Sequence, residues 1–163
     1  MLRISLIELL IKGIPEGIIS IFGLFILTKT KFDSKKFLFS SISLIFLTYL
    51  IRFLPLSYGV NTMLSLLVII VIAVVLNSID LSKSIKATLI IAAIIILSET
   101  ITVGFMQIYL GKEKLNLIMG EPISKSIASI PSTIIYGIVV AVIFFVYRKK
   151  FSYKKDNDGE DIV

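Results

Sequence analysis

The sequence predicts an all-α, polytopic membrane protein of about five transmembrane helices. Three observations predict it. The chain is 163 residues long and 56% hydrophobic, above the roughly 45–50% apolar content of a soluble domain. Its mean hydropathy is +0.99, and the excess is laid out as long uninterrupted runs rather than as short alternating segments. The cations gather at the ends of those runs.

The first run extends over about 4–27 and ends at TKTKFDSKK; the second covers about 37–54 and closes at Pro55 and SYGVN. A third, about 60–76, ends at NSIDLSKSIK, and a fourth, about 87–110, leads into GKEKLNLIMGEP. The fifth spans about 127–147 before RKKFSYKK. Each is about 17–25 residues, enough to cross a hydrocarbon core of about 30 Å. All are expected to be helices, because lipid offers the backbone no other partner for its hydrogen bonds. Residues 1–150 then form one transmembrane domain, and 151–163 read as a disordered cytoplasmic tail, basic near the membrane and acidic at its end.

Charge gives the expected direction. Lys29, Lys31, Lys35 and Lys36 lie in the first loop, no cation lies in the second, Lys83 and Lys86 lie in the third, and Arg148, Lys149, Lys150, Lys154 and Lys155 follow the last span. In the fourth loop Lys112, Lys114 and Lys125 are offset by Glu113 and Glu121. Placing the cation-rich segments inside puts the N-terminus outside and the C-terminus inside. The net charge of +6 is therefore a topology signal rather than a nucleic-acid footprint, and no nucleic-acid partner is expected. Glu8 and Lys12 interrupt the first apolar stretch and no small-residue cleavage site follows, so this stretch is read as a retained span rather than a signal peptide. Pro15 is expected to kink or break it. The fourth loop is long enough for a short surface helix carrying Leu115, Leu117, Ile118 and Met119.

Five ionisable residues fall within the spans: Glu8, Lys12, Glu16, Arg52 and Glu99. Each costs about 2.5–3.5 kcal/mol at a helix centre on insertion scales, which makes an intramembrane charge a functional candidate by default. Counting about 1.5 Å per residue, all five lie in the outer half of the membrane. Asn61, Thr62, Ser65, Thr102, Gln107, Ser129, Ser132, Thr133 and Tyr136 fit the same layer, whereas the inner half offers mainly Ser20, Thr28, Ser40, Ser41 and Ser43. That pattern describes a polar pocket facing outward above an apolar plug. Lys12, Glu16, Arg52, Glu99 and Tyr136 are the candidate ligand-binding residues, with Arg52 placed to pair with Glu99 or Glu16. The competing reading is that these charges neutralise one another and only fix helix register.

Glu8, Lys12 and Glu16 share one helical face at i, i+4, i+8 spacing. Gly13 and Gly17 form a G-x-x-x-G pair around Pro15, the three being candidates for a hinge or a close helix contact, including a dimer face. The pattern I-P-x-x-I-I recurs at 14–19 and 130–135, a coincidence that an isoleucine-rich chain readily produces.

Catalysis is not expected. The chain has no Cys and no His, which removes disulfides, phospho-accepting histidine and the metal sites or nucleophiles built on those residues. Asp33 and Asp80 belong to inner loops and cannot form an intramembrane aspartyl pair, and no phosphate-binding glycine loop is present. No cofactor and no metal are expected.

The Glu8-to-Gly17 segment E-x-x-x-x-x-x-x-E-G, the K-S-I-K at 83–86, the apolar ILSETITVGFMQIYLG at 96–111 with its glutamate, and a proline-containing outer loop before a last span and basic residues resemble the membrane sensor region of accessory-gene-regulator-type receptor histidine kinases of quorum sensing. The resemblance covers about residues 1–150 and implies binding of an extracellular peptide and signalling by helix rearrangement across a dimer. It departs in the kinase part: the sequence stops at Val163, so signalling is expected to pass through a partner. The leading expectation is a non-enzymatic multi-pass receptor or regulator of the cell membrane that takes an extracellular small molecule or peptide and works as a homodimer or with a separate signalling subunit. The alternative is the substrate-binding membrane subunit of an energy-coupling-factor-type vitamin transporter, though that family usually has six spans and an alanine-rich docking face. A purely structural assembly partner is the third.

Overall fold

A computed structural model describes the backbone over 9–53 and 58–157, and the side chains over 10–51, 60, 63–121 and 124–147. All regular structure among these residues is helical: a π-helical turn Leu9–Gly13, then α1 (Ile14–Thr28), α2 (Ser34–Phe53), α3 (Tyr58–Val75), α4 (Leu81–Gly120), α5 (Pro122–Ala128) and α6 (Ile130–Asn157). Four segments are long and apolar enough to cross a membrane, Leu10–Thr28, Ser34–Ile51, Leu81–Gly120 and Ser124–Tyr147, and the apolar stretch Met63–Val75 in α3 is shorter. The protein is thus an all-α polytopic membrane protein.

The first segment is one continuous path with an altered pitch. Pro15 has no N–H to give the Ile11 carbonyl, and its ring crowds that carbonyl. The helix widens into the π-turn Leu9–Gly13 immediately before it, and α1 starts with Pro15 in its first turn, a position proline tolerates because those N–H groups lack intrahelical partners anyway. Gly13 itself keeps right-handed helical angles, so the expected disturbance at Pro15 is a change of pitch rather than a break. Ile130-Pro131 opens α6 in the same way.

Short caps set the connections on the side of the first and third loops. Asp33 accepts from the backbone N–H of Lys35 at 2.9 Å and of Lys36 at 3.4 Å. Asp80 accepts likewise from Ser82 and Lys83 at 3.0 and 3.2 Å. Each carboxylate satisfies N–H groups that the first turn leaves without partners and meets the positive end of the helix dipole. These two aspartates, identified in the sequence only as loop residues, are helix caps.

α1 is the central helix. It packs against α2, α4 and α6, while α3 lies between α2 and α4. The core has Ile21, Leu24 and Phe25 of α1 against Leu44, Ile69, Ile72, Ala73, Ile91, Tyr136 and Val140. Gly17 permits the closest approach: a Cβ there would lie 2.7 Å from Ile45 Cγ1 of α2. The glycine therefore makes a close helix contact within the chain. At the loop end, Phe22 joins α2 and α6 through Phe37 and Phe144, at centroid separations of 6.4 and 5.6 Å.

The outward surfaces are apolar. Leu38, Met63, Leu89, Ile108, Ile138 and Phe145 are all exposed, and patches of that extent on a water-soluble monomer would be exceptional. In hydrocarbon they are ordinary.

Two boundaries differ from the sequence reading. α4 does not end at 110: helical turns resume beyond Gly111, whose φ of 77° and ψ of 162° bend the chain. The expected surface helix is thus the continuation 112–120, in which Leu115 is buried and Leu117 exposed. α6 runs on to Asn157, into the segment expected as a tail, because Lys and Arg favour helix and the late cations suit its negative end. Residues 158–163, and Glu8 with the rest of 1–8, lie outside the described residues.

Candidate functional site

Side chains singled out at membrane depth converge from the π-turn, α1, α4 and α6. Lys12, on the π-turn, forms an ion pair with Glu99 of α4, Nζ to Oε1 at 2.5 Å across a sequence separation of 87. Glu16, one turn after Lys12, lines the same cluster together with Ile95, Ser98, Ser132, Thr133 and Tyr136. The alignment follows from helix direction. α1 and α6 both open with Ile-Pro, and residues at equal offsets from those pairs fall at the same depth. Glu16 and Ser132 sit two positions on, and Ser20 and Tyr136 sit six positions on.

Ser20 and Tyr136 indeed meet, the Tyr136 hydroxyl donating to Ser20 Oγ at 3.1 Å, so Ser20 belongs to the polar cluster and not to the inner half where residue counting placed it. Ser20 in turn donates to the Glu16 carbonyl at 2.7 Å. A chain of donors therefore runs from α6 into the first turn of α1. Ser98 and Thr102 of α4 back-bond to Ile94 and Ser98 carbonyls, both at 2.8 Å, so their hydroxyls cost little when buried.

The cluster is closed rather than open. The space among its side chains is about 10 Å³, roughly one water and far below the roughly 300–1,000 Å³ of a ligand pocket. One turn deeper, Gly23 sits against Ile91 and Val140, each 3.7 Å from where its Cβ would be, and Ile21 and Leu24 are fully buried beside them. This apolar layer adjoins the polar one.

Of the predicted site residues, the structure brings together Lys12, Glu16, Glu99 and Tyr136. Glu99 pairs with Lys12. Arg52 lies in the last turn of α2, and its side chain is outside those described. Gly13 and Pro15 sit directly between Lys12 and Glu16, at the change of pitch.

A second polar group lies towards the other end, and the sequence reading does not anticipate it. Asn77, just after α3, donates from Nδ2 to Ser40 Oγ of α2 at 2.9 Å and to the Ile72 carbonyl at 3.2 Å. Ser84 and Thr88 of α4 are also buried. The only sequence signal is an asparagine at the end of an apolar run, which reads equally as a turn.

Comparison with protein-family models, curated proteins and solved structures finds no match.

Proposed function

We propose that this chain is a non-enzymatic receptor or regulator of the cell membrane, in which the polar cluster of Lys12, Glu16, Glu99 and Tyr136 responds to a ligand from outside and passes its state to a partner protein. The Lys12–Glu99 pair carries the reading. Two opposite charges placed at membrane depth are a costly way to hold two helices together, since apolar residues of similar volume often do so equally well. Their position beside the π-turn and Pro15 gives the cost a use. The closed cluster is the resting arrangement; a charged or strongly hydrogen-bonding ligand would compete for Lys12 or Glu99 and separate the π-turn from α4. The binding free energy would then bias two packings of α1 against α4 and α6.

The test is purification of the chain and its Glu99→Gln variant from native membranes, with mass spectrometry of everything bound. A small molecule or peptide present with the parent chain and absent from the equally folded variant supports the proposal. Identical bound species, with only thermal stability changed, would reduce the cluster to a structural clasp. Capture of a coupling ATPase, or solute uptake by cells expressing the chain, would replace signalling with transport.

A further inference from the structure

A second cavity among the described residues lies elsewhere, between α1 and α2. Its volume is about 430 Å³, within the range of ligand sites, and it is walled by Ile14 and Ile18 of α1 and by Leu38, Ile42, Ile45 and Phe46 of α2. α1 is packed on its other flanks by α4 and α6, and α2 makes no extended contact with α6, which leaves this flank open. The accessible wall is apolar throughout. Two features identify what it fits.

The first is length. On α2 the groove runs from Phe37 to Tyr49, about 18 Å at 1.5 Å per residue. This is close to half of the roughly 30 Å hydrocarbon core. It matches the depth of one leaflet and is too short for a partner's spanning helix, which would need the full thickness.

The second is charge. The groove stripe of α2, at 38, 42, 45–46 and 49, extends back by one turn to Lys35. Lys31 and Lys36 lie beside it, and all three lysines are exposed. None forms an ion pair among the described residues. Among the described residues the neighbouring carboxylate, Asp33, is engaged in capping α2 through Oδ1. An apolar slot one leaflet deep therefore ends in a cluster of cations at headgroup level.

We infer that the α1–α2 groove is a binding site for an anionic phospholipid of the leaflet on the lysine-rich side, with an acyl chain between Ile18 and Ile42 and the phosphate held by Lys31, Lys35 and Lys36. Basic pockets between helices at this level are suited to anionic headgroups, and each lysine adds affinity near the surface. The occupied groove would complete the packing around α1 on the flank opposite the polar cluster. The inference does not depend on the proposed receptor role.

The experiment is native mass spectrometry of the full chain released from detergent containing equal amounts of phosphatidylglycerol and phosphatidylcholine. The parent chain is expected to retain one phosphatidylglycerol in preference to phosphatidylcholine. Lys35→Gln with Lys36→Gln is expected to weaken phosphatidylglycerol binding by about 30-fold and to erase the preference. Ile42→Trp, which fills the groove from an exposed position, is expected to lower retention of both lipids. Equal retention of the two lipids by the parent chain would overturn the inference, as would a preference that survives loss of both lysines. So would a dimer mass abolished by Ile42→Trp, because the groove would then seat a second copy.

Discussion

Lys12 Nζ and Glu99 Oε1 are 2.5 Å apart and tie the π-turn before α1 to the middle of α4. The side chains are 17% and 33% exposed, so the pair lies between an exposed bridge, about 0–1 kcal/mol, and a fully buried one, whose breakage costs about 3–5 kcal/mol. Glu99→Gln alone or Lys12→Met alone is expected to destabilise by about 1–3 kcal/mol, read as a lower midpoint in unfolding of the purified protein. The swap Lys12→Glu with Glu99→Lys should recover part of the loss. If the swap is as damaging as the sum of its parts, the two residues do not share an interaction.

Much of this layer could be read from the sequence, for a physical reason. Depth in a membrane helix follows from residue count at a fixed rise, so Lys12, Glu16, Glu99 and Tyr136 could be assigned to one level without knowing the packing. Azimuth does not follow from counting. Which helix Glu99 faces depends on how α4 rotates against α1, and its pairing with Lys12 could not be read from the sequence. The volume left between the side chains was equally hidden, and a layer that suggested a pocket proved to be a nearly solid cluster. Gly111 gives no warning of a bend, because an apolar run that ends at a glycine looks finished, whereas the backbone turns there and resumes its helix.

The Tyr136–Ser20 bond makes an asymmetric prediction. Tyr136 is buried and donates to Ser20 Oγ, which donates onward to the Glu16 carbonyl. Tyr136→Phe keeps the ring and leaves Ser20 its own acceptor, for a cost of about 0.5–1.5 kcal/mol. Ser20→Ala strands the buried phenol hydroxyl and should cost more, about 1–3 kcal/mol. The double variant should then be no worse than Ser20→Ala alone. Thermal unfolding of the three variants checks the order, and a Ser20→Ala variant as stable as the parent would show that the hydroxyl has another acceptor in the cluster.

Gly111 is held at φ 77° and ψ 162°, and nothing lies within 4 Å of the point where a Cβ would project from it. Space is therefore no obstacle to a side chain, and the backbone alone decides. This region is reached almost only by glycine, and other residues pay about 1–3 kcal/mol there. Gly111→Ala is expected to relieve the strain by straightening α4. Spin labels at Phe105 and Leu117, both exposed, should report a longer separation in the variant. An unchanged distance with unchanged stability would mean that the bend is not maintained by this residue.

Gly17 is the opposite case, because its backbone is ordinary helix and space decides. A Cβ would stand 2.7 Å from Ile45 Cγ1, and the β-branched Ile45 has few rotamers through which to retreat. Gly17→Ala would normally favour a helix by about 1 kcal/mol. Here overpacking, at about 1–3 kcal/mol, should outweigh that gain and force α1 and α2 apart. Ile45→Ala on its own loses packing against α1, yet combined with Gly17→Ala it removes the clash, so the pair should show a favourable coupling of about 0.5–3 kcal/mol in a double-mutant cycle. Additive losses would mean that α1 and α2 can separate without cost, and that the close approach at Gly17 does not set their spacing. Because Ile45 also walls the lipid groove, the same variants should change phospholipid retention in step with the helix separation.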